Sequence, residues 1–264
     1  MYQQHFGLTG SPLDKGSPSL FDNEQLATLA TRFQWLLDSP GIGVLSGEAG
    51  VGKTAALHQL CKSVNPHRHK VIYSQDNDCS RRDLYRNFAI ELGLEPAYRR
   101  TQLWRDIKSR LEDLHENKQL QVVWIIDESQ NLPAAFFRDF PAFLNFAFDS
   151  KDMMTVWLVG LPQLLYTLDR APYAALHSRI QVRAAMHAFQ EPAAFQSLVK
   201  HAFKVVGSTG GLMSDSGIEL LRQASQGKPR QAGQIIKAAL RLAAGKGMNH
   251  LPDDIIEEAM ELLR

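Results

Sequence analysis

Cysteine is scarce in this chain of 264 residues: Cys61 and Cys79 are its two thiols, and no C-x-x-C pair occurs. That excludes a disulfide framework or a cysteine-rich zinc module as the organising device. Long apolar runs are missing too. No stretch of 18 apolar residues marks a membrane span, and the opening MYQQHFGLTGSPLDKGSP lacks the apolar block of a secretory leader. Net charge is almost nil, at +1, so no global basic field announces nucleic acid. Internal repeats and low-complexity tracts are lacking as well. The expectation is a soluble cytoplasmic protein with no membrane partner. With 44% hydrophobic and 22% charged residues, it has length enough for one good core and a smaller satellite domain.

Short β-type runs alternate with helical stretches over the first two thirds of the chain. The strand candidates are Ile42–Ser46, Val71–Gln75, Val122–Ile126, Thr155–Val159 and Ile180–Arg183. Between the second and third, TQLWRDIKSRLEDL puts Leu103, Trp104, Ile107, Leu111 and Leu114 on one helical face. Strands separated by helices predict an α/β fold, a parallel five-stranded sheet with helices on both faces. The runs QVVWII and TVWLV suit central strands buried on both sides. After about residue 190 the pattern becomes purely helical. Ser214 or Asp215 and Pro252 fit helix starts, and Gly245 fits a stop. The expected division is therefore 1–190 as an α/β domain, with 1–40 as its amino-terminal segment, and 191–264 as a small helical domain.

Residues 47–54, GEAGVGKT, match G-x-x-x-x-G-K-[ST] in full, between an apolar strand and a helical pattern. Glycines at 47, 50 and 52 let backbone N–H groups turn inward on phosphate oxygens at a helix N-terminus. The loop Gly47, Glu48, Ala49, Gly50, Val51, Gly52, together with Lys53, Thr54 and Ala55, is the predicted ATP-binding segment. Lys53 would reach the β- and γ-phosphates, and the Thr54 hydroxyl would ligate Mg²⁺. Some 70 residues on, VVWIIDESQ ends a buried strand with two carboxylates. Asp127 is placed to hold the same Mg²⁺. Glu128 would polarise the attacking water. The alternative for Glu128 is a helix cap or a solvated acid.

GEAGVGKT followed by VVWIIDESQ resembles an AAA+ ATPase, a P-loop NTPase. The opening FGL, IIDESQNLP and VWLVGLPQLL resemble the corresponding stretches of ExeA-like ATPases. That branch includes bacterial transposition regulators of the TnsC, MuB, IstB and TniB kind, and its relatives include origin-recognition initiators. The resemblance covers almost the whole chain. It implies a sensor-1 polar residue after the fourth strand, where Gln163 is the candidate although the usual slot holds Gly160 or Leu161. It implies an arginine finger before the fifth strand, Arg179, with Arg170 and Arg183 as competitors. In GKPRQAG it implies a sensor-2 arginine, Arg230, at the start of a lid helix.

A finger that works in a neighbouring subunit implies self-assembly into a ring or helical filament. The family's DNA-binding members line such assemblies with the region between the second and third strands. Here residues 62–110 hold eleven Lys/Arg against six Asp/Glu. Arg81, Arg82, Arg99, Arg100, Arg105 and Lys108 are the candidates for duplex DNA phosphates; the bland alternative is a solvated face. The implied function is an ATP-dependent regulator of DNA transposition that assembles on duplex DNA and recruits a transposase. The alternatives are an ExeA-like secretion ATPase acting on protein partners, and an initiator-like helicase loader. The end at EEAMELLR, with neither a transmembrane segment nor a winged-helix domain, favours the DNA regulator. His5, His67, His69 and His115 lack metal-ligand spacing, and HRHK at 67–70 reads as a solvated turn. Trp104, Trp124 and Trp157 read as core.

Overall fold

The computed structural model describes residues 2–14, 19–75, 80–146, 152–208 and 211–263; Cys79 falls outside them. The strands are β1 (Ile42–Gly47), β2 (His69–Ser74), β3 (Gln121–Ile126), β4 (Met154–Gly160) and β5 (Ile180–Met186). The helices are α1 (Tyr2–Phe6), α2 (Glu24–Asp38), α3 (Lys53–Ser63), α4 (Arg81–Glu91), α5 (Arg100–Glu116), α6 (Ala134–Phe143), α7 (Gln163–Leu168) and α8 (Ala174–His177). The carboxyl-terminal run comprises α9 (Pro192–Val205), α10 (Asp215–Ser225), α11 (Pro229–Gly245) and α12 (Asp253–Leu262). Two compact units emerge. One comprises Glu24–Gly47 and Leu60–Met186, the other Met1–Asn23, Glu48–Gln59 and His187–Arg264.

The first unit is built on a five-stranded sheet ordered β2-β3-β4-β1-β5, with every pairing parallel. Parallel neighbours need crossover segments, which is why each strand is followed by helix rather than a tight turn. β1 and β4 are buried along their whole length, and β3 from its second residue. Burial on both faces is what erases the alternation expected of a half-exposed strand. At the edge, β5 does alternate, burying Val182, Ala184 and Met186. β2 begins at His69, so the histidine and Lys70 predicted to sit in a turn instead pair with Gln121 and Val122. The apolar pattern of VIY marks the strand's centre but gives no sign of its polar first two residues.

Adjacent strand positions alternate faces, so Trp124 and Trp157 point to opposite sides of the sheet. Trp124 stacks on Phe88 of α4 with ring centroids 4.0 Å apart, beside Tyr85, Phe136, Phe140 and Phe143. Its indole N–H donates to Ser74 Oγ at 3.0 Å. On α5, Leu103, Ile107, Leu111 and Leu114 are buried and Trp104 is half-buried. On the other side, Trp157 stacks on Phe33 of α2. A β-carbon on Gly43 would lie 2.8 Å from the Trp157 ring and 2.7 Å from Leu36, so this close approach requires glycine.

In the second unit, α9–α12 surround a core that includes Phe195, Leu221, Ile236, Leu240 and Ile255. α11 buries Ala232, Ile235, Ile236, Ala239, Leu240 and Ala243, the spacing of one helical face. Ser214 caps α10 by accepting from the Gly217 N–H, and its hydroxyl and that of Ser216 both donate to Asp253 at the head of α12. The amino-terminal segment joins this unit: Leu8 is part of its core and the Thr9 N–H donates to the Val206 carbonyl. Among the described residues no helix is long and apolar enough to cross a membrane.

Candidate nucleotide site

The loop Glu48–Gly52 leads from the end of β1 into α3. Gly50 and Gly52 have φ of +84° and +105°, a backbone that side chains disfavour and that turns consecutive N–H groups to one side. The Ala56 N–H donates to the Gly52 carbonyl at the start of α3, so the loop runs directly into the helix amino-terminus. Lys53 is buried, and its ammonium donates to the Glu48 carbonyl at 3.0 Å, folded back over the loop. Thr54 is exposed in the first turn, while Val51 is buried and Ala55 half-buried. Amides, glycines and a lysine form a donor set that fits a polyphosphate.

Within the same unit, the start of α11 meets this loop. The chain reaches it through a left-handed pair, Gln226 and Gly227, at φ of +52° and +68°. The Arg230 N–H donates to the Gly50 carbonyl at 3.2 Å, and a β-carbon on Gly50 would lie 3.1 Å from Arg230 Cβ. The exposed Arg230 side chain thus springs from the rim of the loop. Lys228 adds a contact that the sequence does not reveal. Its ammonium lies 2.7 Å from the Glu48 carboxylate, and this hydrogen bond, with the lysine's charge, holds the Glu48 carboxyl below the usual range. The only signal available was an acid inside the loop and a lysine two places before Arg230.

The acidic pair belongs to the sheet unit. Register pairs Ile126 with Leu158 and Ser46 with Gly160, so Gly47, Asp127 and Gly160 lie along one carboxyl edge. Asp127 is buried. Its Oδ2 accepts from the Tyr73 hydroxyl at 2.8 Å, and its Oδ1 from the Glu128 N–H at 2.9 Å. Glu128 is exposed and adopts a left-handed backbone, φ +51° and ψ +36°. Gln130 follows in a short 3₁₀ turn, and its amide donates to Glu128 Oε2 at 2.6 Å. Among the described residues no cluster of three or more His, Cys, Asp or Glu forms a metal cage. A single buried carboxylate such as Asp127 has the chemistry of a Mg²⁺ ligand, since that ion keeps waters and phosphates as its other ligands.

The other candidates have contacts of their own. Gln163 opens α7 as an exposed residue, and the side chain that meets the end of β4 is that of Gln130. Arg179, half-buried, donates to the Pro141 carbonyl at 2.9 Å, and Arg183 lies 3.5 Å from Asp169. In the basic region, Arg81 and Arg100 both pair with Asp139 of α6. Lys108 donates to the Asn145 and Ala142 carbonyls at 2.6 and 3.3 Å, and burial lowers its pKa. Arg82 donates to the Tyr98 carbonyl, with its guanidinium 4.2 Å from that ring's centre. Arg99 and Arg105 are exposed, and so is Tyr98, at 80%. Tyr98, an aromatic among arginines, went unnoticed in the sequence.

Comparison with known proteins extends these observations. The chain is 25% identical over 265 aligned positions to general secretion pathway protein A of Aeromonas hydrophila, covering 95% of this chain and 46% of that one. It therefore spans about half the length of that relative. Among solved structures, the ADP form of the Aeropyrum pernix ORC2 protein matches with a TM-score of 0.71 at 17% identity, over 98% of this chain and 72% of that one. The Drosophila ORC bound to DNA gives 0.71 at 15%, over 100% and 65%. The Thermotoga maritima RuvB Holliday junction branch migration motor gives 0.63 at 17%, over 95% and 74%. These likenesses concern the fold: a five-stranded parallel P-loop sheet followed by a helical portion. A sequence model described as AAA domain matches residues 37–168, the stretch that runs from β1 and its phosphate loop through the acidic pair to the end of α7. With half of its length accounted for in this way, the chain belongs to the AAA domain family of P-loop ATPases.

Proposed function

We propose that this chain is a magnesium-dependent ATPase that assembles on duplex DNA with ATP bound and leaves it on hydrolysis, regulating DNA transposition by recruiting a transposase. The observation that carries the nucleotide-controlled part is the Arg230–Gly50 contact. It sets the first turn of α11 on the rim of the loop that cradles phosphate. Loop amides and Lys53 bind the β- and γ-phosphates, and Arg230 senses the γ-phosphate. Thr54 and Asp127 are the magnesium-binding residues, with Tyr73 orienting the Asp127 carboxylate. Magnesium, when bound, neutralises charge on the phosphates. Glu128 takes the proton of the attacking water. Arg179 is the proposed finger for a neighbouring subunit, a role that requires it to leave the Pro141 carbonyl.

Support for DNA comes from the basic surface of α4 and α5 and from the fold. The Aeropyrum pernix ORC1 protein and the Drosophila ORC, both of this fold, were solved with DNA. Arg99, Arg105 and Tyr98 are exposed on that surface, and so is Arg100 beside its ion pair with Asp139. Arg81, Arg100 and Lys108 reach phosphate only by leaving Asp139 and the Ala142 and Asn145 carbonyls. A second reading, a secretion ATPase working on protein partners, is favoured by the likeness to general secretion pathway protein A. The discriminating experiment mixes the protein with duplex DNA and a non-hydrolysable ATP analogue. Rings or filaments in electron micrographs, and an ATP-dependent sedimentation shift, are expected. A monomer that ignores DNA sinks the first reading in favour of the second. Charge reversal at Arg99 and Arg105 should weaken DNA binding and spare basal ATPase activity.

A further inference from the structure

Gly160 ends β4 at the carboxyl edge, where no side chain is available. The space is filled from another strand's loop. A β-carbon on Gly160 would stand 2.5 Å from Gln130 Oε1 and 3.4 Å from the Gln130 backbone nitrogen. That oxygen accepts from the Leu161 N–H at 3.0 Å, and the amide nitrogen of the same side chain donates to Glu128 Oε2 at 2.6 Å. One amide therefore bridges the end of β4 and the carboxylate of Glu128, spending its donor on one and its acceptor on the other.

The bridge has a firm base. Ser129 is fully buried and donates to the Ile126 carbonyl at 2.7 Å. The Asn131 N–H closes the turn on the Glu128 carbonyl, and Leu132 is buried beyond it. Glu128 has no comparable support. Its side chain is exposed, and an unrestrained exposed glutamate samples many rotamers. A general base must be held within hydrogen-bond reach of the proton that it removes.

We infer that Gln130 is a positioning residue for hydrolysis. It fixes the rotamer of Glu128, and it supplies to the end of β4 the polar group that Gly160 lacks. The glycine and the glutamine form one device, since any side chain at 160 would evict the amide. This assignment rests on the reading of Glu128 as the group that activates water.

The test compares five variants of the full chain with the native protein. Gln130→Ala removes both bonds. It should lower kcat for ATP at least roughly tenfold, a fraction of what a general base contributes, with KM and nucleotide Kd unchanged within about twofold. Gln130→Glu keeps an acceptor for Leu161 but sets a carboxylate against Glu128, so it should lose kcat likewise. Hydrogen exchange in the protein without nucleotide gives an independent reading. The Leu161 amide should lose protection in Gln130→Ala and keep it in Gln130→Glu. Gly160→Asn alone should be impaired by collision with Gln130, whereas Gly160→Asn added to Gln130→Ala should recover several-fold in kcat. Native kcat in Gln130→Ala, kcat and affinity falling together, or a double variant no better than Gln130→Ala overturns the assignment. Glu128→Gln separates the two claims. If that variant turns over normally, the reading of Glu128 fails. If it is inactive while both Gln130 variants turn over normally, the role of Gln130 alone fails.

Discussion

A glutamate at φ +51° carries a conformational cost of roughly 1–2 kcal/mol that glycine avoids. Glu128 bears it because that backbone turns its own N–H onto Asp127 and its carboxylate toward Gln130. Strain of this kind gathers at functional positions. Replacing Glu128 by Gly should therefore stabilise the fold by up to about 1 kcal/mol, net of the extra freedom that glycine gains when unfolded. Hydrolysis should vanish in the same variant. Urea unfolding without nucleotide, set beside a turnover assay, checks the pair, and a loss of stability would contradict the strain. Residues of the phosphate loop were legible in the sequence because their chemistry is local, eight positions in a row between strand and helix. Gln130 was legible only as part of a resemblance. Its partners Glu128 and Leu161 are 2 and 31 positions away, and no periodicity records which amide faces which carbonyl.

At the level of elements, the strands were readable because burial on both faces of a parallel sheet turns each into an unbroken apolar run. The error at β2 arose where an edge strand begins with polar residues, since there the apolar signal fades before the hydrogen bonding does. The fastening of α6 could not be read at all. Asp139 takes Arg81 from α4 and Arg100 from α5, and Lys108 holds the carbonyls at the end of α6. Half of the predicted DNA-contact set is thus engaged in packing a helix. Asp139→Asn should cost about 1 kcal/mol of stability, as partly exposed pairs do. Should DNA compete for the two freed arginines, the same change should tighten DNA binding several-fold. The salt dependence would then steepen by about one or two phosphates' worth. Titrations at several salt concentrations measure both; unchanged affinity would assign these arginines to packing alone.

For the molecule as a whole, nucleotide is the proposed control of assembly, so loss of nucleotide binding should abolish it. Lys53→Ala should remove ATP-dependent sedimentation on DNA while leaving the circular dichroism of the fold intact. Chelating magnesium with EDTA should stop hydrolysis in the native protein, as expected if Thr54 and Asp127 require the ion. Hydrolysis that continued in EDTA would remove both from that role.

The strand order has a further consequence, for how the chain is made. β1 is the first strand to be synthesised, yet its two neighbours are β4 and β5, at 154–160 and 180–186. At roughly 5–20 residues per second, a strand buried along its whole length waits on the order of ten seconds for the partners that cover it. Pairings so distant in sequence close slowly even after synthesis is finished. The strand that leads into the phosphate loop is thus made before the other four and is among the last seated, which makes the nascent chain more exposed to aggregation than the finished fold.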